Sequence, residues 1–119
     1  MASMERQSLD GAAETRKFDK GHMEVVTVGG HVVGRATFEP GWKWSESVKP
    51  IAGTDSCMVE HVGYIVSGQL KVVMDDGSET DARPGDAFYL APGHDAWVVG
   101  NEPVVALDFQ GATDYAKKG

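Results

Sequence analysis

The chain is 119 residues long, a length at which one domain buries a core without disulfides or metal, and its fifteen glycines suit a turn-rich β protein better than a helical one. Acidic residues outnumber basic ones 18 to 11, and the resulting charge of -7 repels phosphate backbones and anionic headgroups, so nucleic acid and membrane surfaces are excluded as partners. The single cysteine cannot form an intramolecular disulfide, and no apolar run approaches the roughly 18 residues of a spanning helix, so a cytoplasmic location is expected.

Residues 1–20 read as a flexible N-terminal arm, because their sparse apolar pattern cannot offset the entropy of ordering them. Residues 23–28 are β-branched and extended, Gly29-Gly30 turns the chain, and residues 31–38 form a second strand closed by Glu39-Pro40-Gly41. The alternation in Trp42-Lys43-Trp44 places both indoles on one face, either as core or interface packing or with Trp44 as a pocket wall. Residues 48–55 read as a loop over the mouth of the fold.

Three apolar runs follow at residues 63–66, 70–74 and 87–90, separated by turn clusters. Asp75-Asp76-Gly77 tolerates positive φ and should pair residues 70–74 with 78–82 as a hairpin. Pro84-Gly85 and Pro92-Gly93 bracket the next strand. Residues 97–100 form a short strand and residues 104–110 a last one, with Val105, Leu107 and Phe109 on one side; residues 112–119 are a polar tail. Some eight to ten strands fit an all-β antiparallel fold of two facing sheets over residues 21–111.

The spacing from His61 to Gly68, with Pro84-Gly85-Asp86 and Ala91-Pro92-Gly93, resembles the cupin superfamily of jelly-roll barrels. Gly68 fits the last glycine of the family's first motif, which places His61 at its glutamate; the two histidines fall on Asp55 and Cys57, or on Thr54 and Ser56. In the second motif Gly85 and Gly93 fit, the proline falls on Ala91 and the histidine on Ala96. The usual three-histidine, one-glutamate metal site is therefore absent. The resemblance implies a double-stranded β-helix, an imidazole at position 61 facing the lumen, and a homodimer to which the N-terminal arm contributes.

His61 is the strongest candidate, able to bind a metal, hold an anion or move a proton. His94 reaches it if the Pro92-Gly93 turn bends the chain back. Cys57 adds a thiolate suited to zinc or copper, although a straight strand would set it about 13 Å from His61, so the chain must turn a corner between them. Asp55 is a possible fourth ligand. A thiol triad of Cys57, His61 and Asp95 has no helix N-terminus to lower the thiol pKa; His22 and His31 read as structural, and Tyr64 lies on the strand face opposite His61 and so should serve packing.

Two functions follow. In the first, the barrel binds a small polar or carboxylate-bearing molecule through His61, His94 and Trp44, with no cofactor. In the second, Cys57, His61 and His94 hold a divalent transition metal (zinc, iron, copper, nickel or manganese) in an enzyme of oxygenase or isomerase type.

Overall fold

Apolar and polar residues alternate along most of the extended runs, and a strand with that period lies with one face on a core and the other outward. The computed structural model describes residues 3–113 and 115, which form nine strands and two helical turns. In chain order these are β1 (Glu14–Phe18), β2 (Gly21–Val28), β3 (His31–Phe38), α1 (Trp44–Ser47), α2 (Lys49–Ala52), β4 (His61–Ser67), β5 (Gln69–Met74), β6 (Glu79–Ala82), β7 (Ala87–Leu90), β8 (His94–Val99) and β9 (Val104–Asp108). All strand pairs are antiparallel; a six-stranded sheet runs β1-β2-β3-β9-β4-β7 and faces a three-stranded sheet β6-β5-β8. The expected all-β jelly roll is thus the observed fold. No helix among the described residues is long and apolar enough to cross a membrane.

The core lies between the sheets. Met23, Val25, Ala36, Phe38, Val104 and Ala106 come from the larger sheet, and Leu70, Val72, Ala96 and Val98 meet them from the smaller one. Each such side chain contributes roughly 1.5–3 kcal/mol on burial if it is a large one, which is where a domain of this size finds most of its stability. The hairpin forms where the turn chemistry places it: Gly77 has φ 90°, its N–H donates to the Met74 carbonyl, and the Met74 N–H donates to Ser78.

Three expectations need correction. Glu14–Phe18, assigned to the arm, is an edge strand, and its Phe18 packs against Phe38 and Trp42 while its charged residues guard the edge. Residues 44–52, read as extended chain and loop, make the turns α1 and α2; Asp95 accepts from the Ser45 and Ala96 N–H groups and so ties α1 to β8. β9 carries Val105 and Leu107 on one side, as expected; that side is half-buried, the buried face is Val104, Ala106 and Asp108, and Phe109 lies just past the strand and is exposed. The tail is not simply polar, because Ala112 and Tyr115 belong to the core; its remaining calls, Asp114 and residues 116–119, lie outside the described residues.

Gly68 joins β4 to β5 with φ 78°, and a Cβ there would strike the Pro103 carbonyl and come within 2.7 Å of Val104 Cα. Gly77 has a similar φ but open space around it. Gly77→Ala is therefore expected to cost about 1–2 kcal/mol, the conformational term alone, and Gly68→Ala that amount plus about 1–3 kcal/mol of overpacking. Chemical denaturation of the two variants side by side checks this, and equal losses would contradict the crowding at Gly68.

Candidate metal centre

Three inward-facing side chains meet near one end of the lumen. Cys57 is not part of a long strand but forms an isolated antiparallel bridge with His94: the Cys57 N–H donates to the His94 carbonyl at 2.7 Å, and the His94 N–H to the Cys57 carbonyl at 3.2 Å. Directly opposed residues in such a pair project to the same side. Cys57 pairs with the first residue of β8 in the smaller sheet, while His61 starts β4 of the larger one, so the required corner lies across residues 58–60. It brings Cys57 Sγ to 3.7 Å from His61 Nε2, in place of the 13 Å or so of a straight run.

The ring tautomers are set by what surrounds them. Asp108 Oδ2 lies 2.6 Å from His61 Nδ1, and the Ala91 carbonyl 2.8 Å from His94 Nδ1. Both partners only accept, so each Nδ1 carries hydrogen and each Nε2 is left for the interior. Asp108 is itself fixed, because its Oδ1 accepts from the Gln110 and Gly111 N–H groups at 3.0 and 2.7 Å. Gly111 is required here: a Cβ at that position would lie 2.5 Å from His61 Nδ1 and 2.6 Å from the Glu60 carbonyl.

Burial pushes the Cys57 thiol up, but hydrogen bonds from His61 and His94 outweigh it and bring its pKa down to about 6. Burial likewise pushes the His61 imidazolium down, and the Asp108 carboxylate, followed by Cys57, outweighs it and holds the ring at about 9. At neutral pH the metal-free site is a thiolate, an imidazolium and a carboxylate in line. Burial, then the Cys57 and Asp108 charges, raise the Tyr115 hydroxyl well above the usual phenol range, so it stays protonated.

The donor set fits a transition metal. Cys57 Sγ and the two ring nitrogens all lie within 4.8 Å of one another, and all three residues are buried. A tetrahedral ion with bonds of roughly 2.0–2.3 Å sets its ligands roughly 3.5 Å apart, close to the sulfur–nitrogen separation here. A carboxylate on the second nitrogen of a ligating histidine, as Asp108 is on His61, fixes the ring and raises its basicity.

The lumen beside these residues is a cavity of about 50 Å³ lined mostly by apolar groups, among them Met23, Phe38, Leu70 and Leu90. His61, His94, Asp108, Trp42 and Tyr115 line it too. The structure brings Cys57, His61 and His94 together as the sequence suggested, but not Trp44, which is buried at the start of α1 and does not line this cavity; Trp42 does. Asp55 is exposed beside Lys49 at 3.7 Å and takes no part. Asp95 serves α1, and the acid beside His61 is Asp108. Tyr64 is on the face opposite His61, 41 % exposed rather than packed inside.

A jelly-roll barrel of two antiparallel sheets with imidazoles turned into its lumen is the architecture of the cupins. The EutQ-like cupin domain model matches residues 53–113, and the chain belongs to that family. No curated protein matches it. Among solved structures it resembles a protein of unknown function from Rhizobium leguminosarum bv. viciae 3841, at 17 % identity and TM-score 0.64 over 92 % of this chain and 97 % of that one. It also resembles an oxalate decarboxylase from Lactobacillus farciminis in complex with formate, at 18 % identity and TM-score 0.58 over 86 % of this chain and 32 % of the decarboxylase. The ethanolamine utilization protein Q of Salmonella typhimurium LT2 matches at 12 % identity and TM-score 0.51, over 76 % and 70 % of the two chains. At these identities the likeness is one of fold.

The thiolate gives a direct reading of the site. Far-ultraviolet thiolate absorbance of the metal-free protein, with Cys57→Ser subtracted, is expected to titrate near pH 6. A midpoint at the free-thiol value of roughly 8.5 would remove the thiolate–imidazolium pair.

Proposed function

We propose that this chain is a metal-binding cupin that takes a small ligand in its lumen, with Cys57, His61 and His94 as the protein ligands of a transition metal. The observation that carries the reading is the convergence of one thiol and two imidazole Nε2 atoms whose Nδ1 positions are both tied to acceptors. Softness favours zinc or copper over manganese, and three protein ligands leave a position for a small molecule. A bound divalent ion would supply Lewis-acid polarisation of an oxygen placed at that position. The chain's own part is to orient and enclose. Asp108 holds the His61 ring and accepts its Nδ1–H, the Ala91 carbonyl holds His94, and the apolar lumen keeps bulk water from whatever enters. The decarboxylase of similar fold was solved with formate, and a small carboxylate is a ligand of a size this lumen can take.

A second reading has a specific geometry behind it. Cys57, His61 and Asp108 line up as nucleophile, base and orienting acid do in thiol enzymes. Two features favour the metal. Cys57 is 1 % exposed, and a second imidazole, His94, lies on the same sulfur, which a nucleophile does not need but a metal does.

Elemental analysis of protein purified without a histidine tag and loaded with zinc or cobalt is expected to find one ion per chain. Cys57→Ser, His61→Ala and His94→Ala should each lose it, and cobalt should show a thiolate charge-transfer band that Cys57→Ser abolishes. Asp108→Asn keeps an oxygen but no charge, and should retain the ion with affinity weakened by about 10–100-fold. Failure of zinc, iron, copper, nickel and manganese alike to bind would end the reading in favour of the metal-free thiol site.

A further inference from the structure

An antiparallel sheet with one face on the core is expected to turn polar residues outward on the other. Elsewhere in the molecule the outer positions obey this. Glu24 on β2 meets Arg35 on β3 at 2.8 Å, and Lys71 on β5 meets Glu79 on β6 at 2.9 Å. β4 departs from it. With His61, Gly63 and Ile65 turned inward, its outer side is Val62, Tyr64 and Val66, which are 41 %, 41 % and 48 % exposed.

The neighbouring strands extend the same face. Tyr64 lies opposite Leu107 of β9 and Ala87 of β7, and Val62 opposite Tyr89, which is 59 % exposed. Phe109 follows β9, with its N–H donating to the Val62 carbonyl, and is 51 % exposed. Three half-open aromatic rings leave roughly 300 Å² of surface uncovered, and the two valines and Leu107 carry the patch further. The largest apolar patch of a typical monomer is about 300–600 Å² and often functional. A standard interface takes about 800 Å² from each partner, a little over half of it apolar, so this one face holds most of the apolar share that a stable dimer needs.

We propose that the outer face of β4, β7 and β9 is the contact between two copies of this chain, with a twofold axis passing near Tyr64. A twofold contact sets a surface against itself, so its centre must be free of charge. Around Tyr64 the face meets that condition, because its neighbours along and across the strands are Val62, Val66, Leu107 and Ala87. The charges at its margin are already engaged: Arg35, beside Leu107, holds Glu24 and Asp10, and Glu60 accepts from the Tyr89 hydroxyl at 2.6 Å. Each chain carries a net charge of -7, and β6 presents Glu79 and Asp81, so two copies repel each other least where this face meets its own image. An open sheet face also packs most readily on another sheet. The N-terminal arm leaves the face uncovered, since Glu5 accepts from the Gly29 N–H and Asp10 pairs with Arg35 of the same chain. The contact is therefore separate from any exchange of arms.

Sedimentation velocity of the full chain at micromolar concentration is expected to give twice the mass of one chain. Tyr64→Glu and Val66→Lys should each weaken the dimer at least about 100-fold while keeping the circular dichroism of the parent protein. Val73→Lys, on the outer side of β5 in the smaller sheet, should leave it unchanged. A short bismaleimide should link Tyr64→Cys into dimers, because a residue near the axis meets its own copy, and should leave Val99→Cys, on the smaller sheet, unlinked; the buried Cys57 takes no part. This linking test decides the matter even where a charge variant does not fold. A parent protein that stays monomeric at high micromolar concentration, a dimer that both face variants leave intact, equal dissociation by Val73→Lys, or equal linking of the two cysteine variants would overturn the contact. So would a dimer lost on deletion of residues 1–10 but kept in folded Tyr64→Glu, which would assign the association to the arm.

Discussion

The site depends on the short backbone bridge between Cys57 and His94. Their reciprocal hydrogen bonds, with a further one from the Gly93 N–H to the Cys57 carbonyl at 2.7 Å, fasten an otherwise irregular segment to the start of the smaller sheet. Four residues later the same segment enters β4 of the larger sheet. One pairing thus links the two sheets at one end and sets thiol and imidazole on one side. The Pro92-Gly93 turn makes it possible, because Gly93 has φ 95° and a Cβ there would lie 2.9 Å from Asp75 Oδ2. A side chain at that position would be strained and crowded, and the first thing disturbed would be the bridge.

The second constraint is a carboxylate inside an apolar barrel. Asp108 is 5 % exposed, and an unpaired charge at such a depth is expensive enough that it must be paired and hydrogen-bonded to remain ionised. It is: His61 takes one oxygen, and the backbone of residues 110 and 111 the other. The turn after β9 is therefore shaped around the carboxylate, and the carboxylate around the ring. Removing any one of the three leaves a buried group without its partner, which is why Gly111, a residue with no chemistry of its own, is as constrained as the histidine.

Most of the architecture was legible in the sequence because period-two alternation and glycine- or proline-marked turns are local signals. The spacing of Gly68, Gly85 and Gly93 carried the family resemblance even though the metal ligands depart from it. Cys57, His61 and His94 were legible as one ligand set on condition that the chain bends, but the cause of the bend was not, since it needs the 57–94 bridge, a pairing between residues 37 positions apart in the chain. Asp108 was missed for a different reason. The sequence marks the apolar side of Val105, Leu107 and Phe109, while the buried face of β9 is the alternate set of Val104, Ala106 and Asp108. Both tryptophans are buried in the core, as the alternation allows, but α1 starts at Trp44 and it is Trp42 that lines the cavity. Tyr115 sits in a segment with no apolar pattern, and Arg16 and Phe18, which help to hold it, come from a strand also read as loose chain.

These two ends of the chain finish the lumen, and their contribution is electrostatic as well as steric. Without metal the buried thiolate, imidazolium and carboxylate carry one net negative charge. Exchange of the His61 Nε2 proton for a divalent ion leaves the same group neutral, a form that an apolar surrounding accepts at lower cost. The terminal segments that look dispensable in the sequence thus supply Tyr115 to the core and, through Phe18 and Arg16, the packing and the anchor that keep Trp42 and Tyr115 in place.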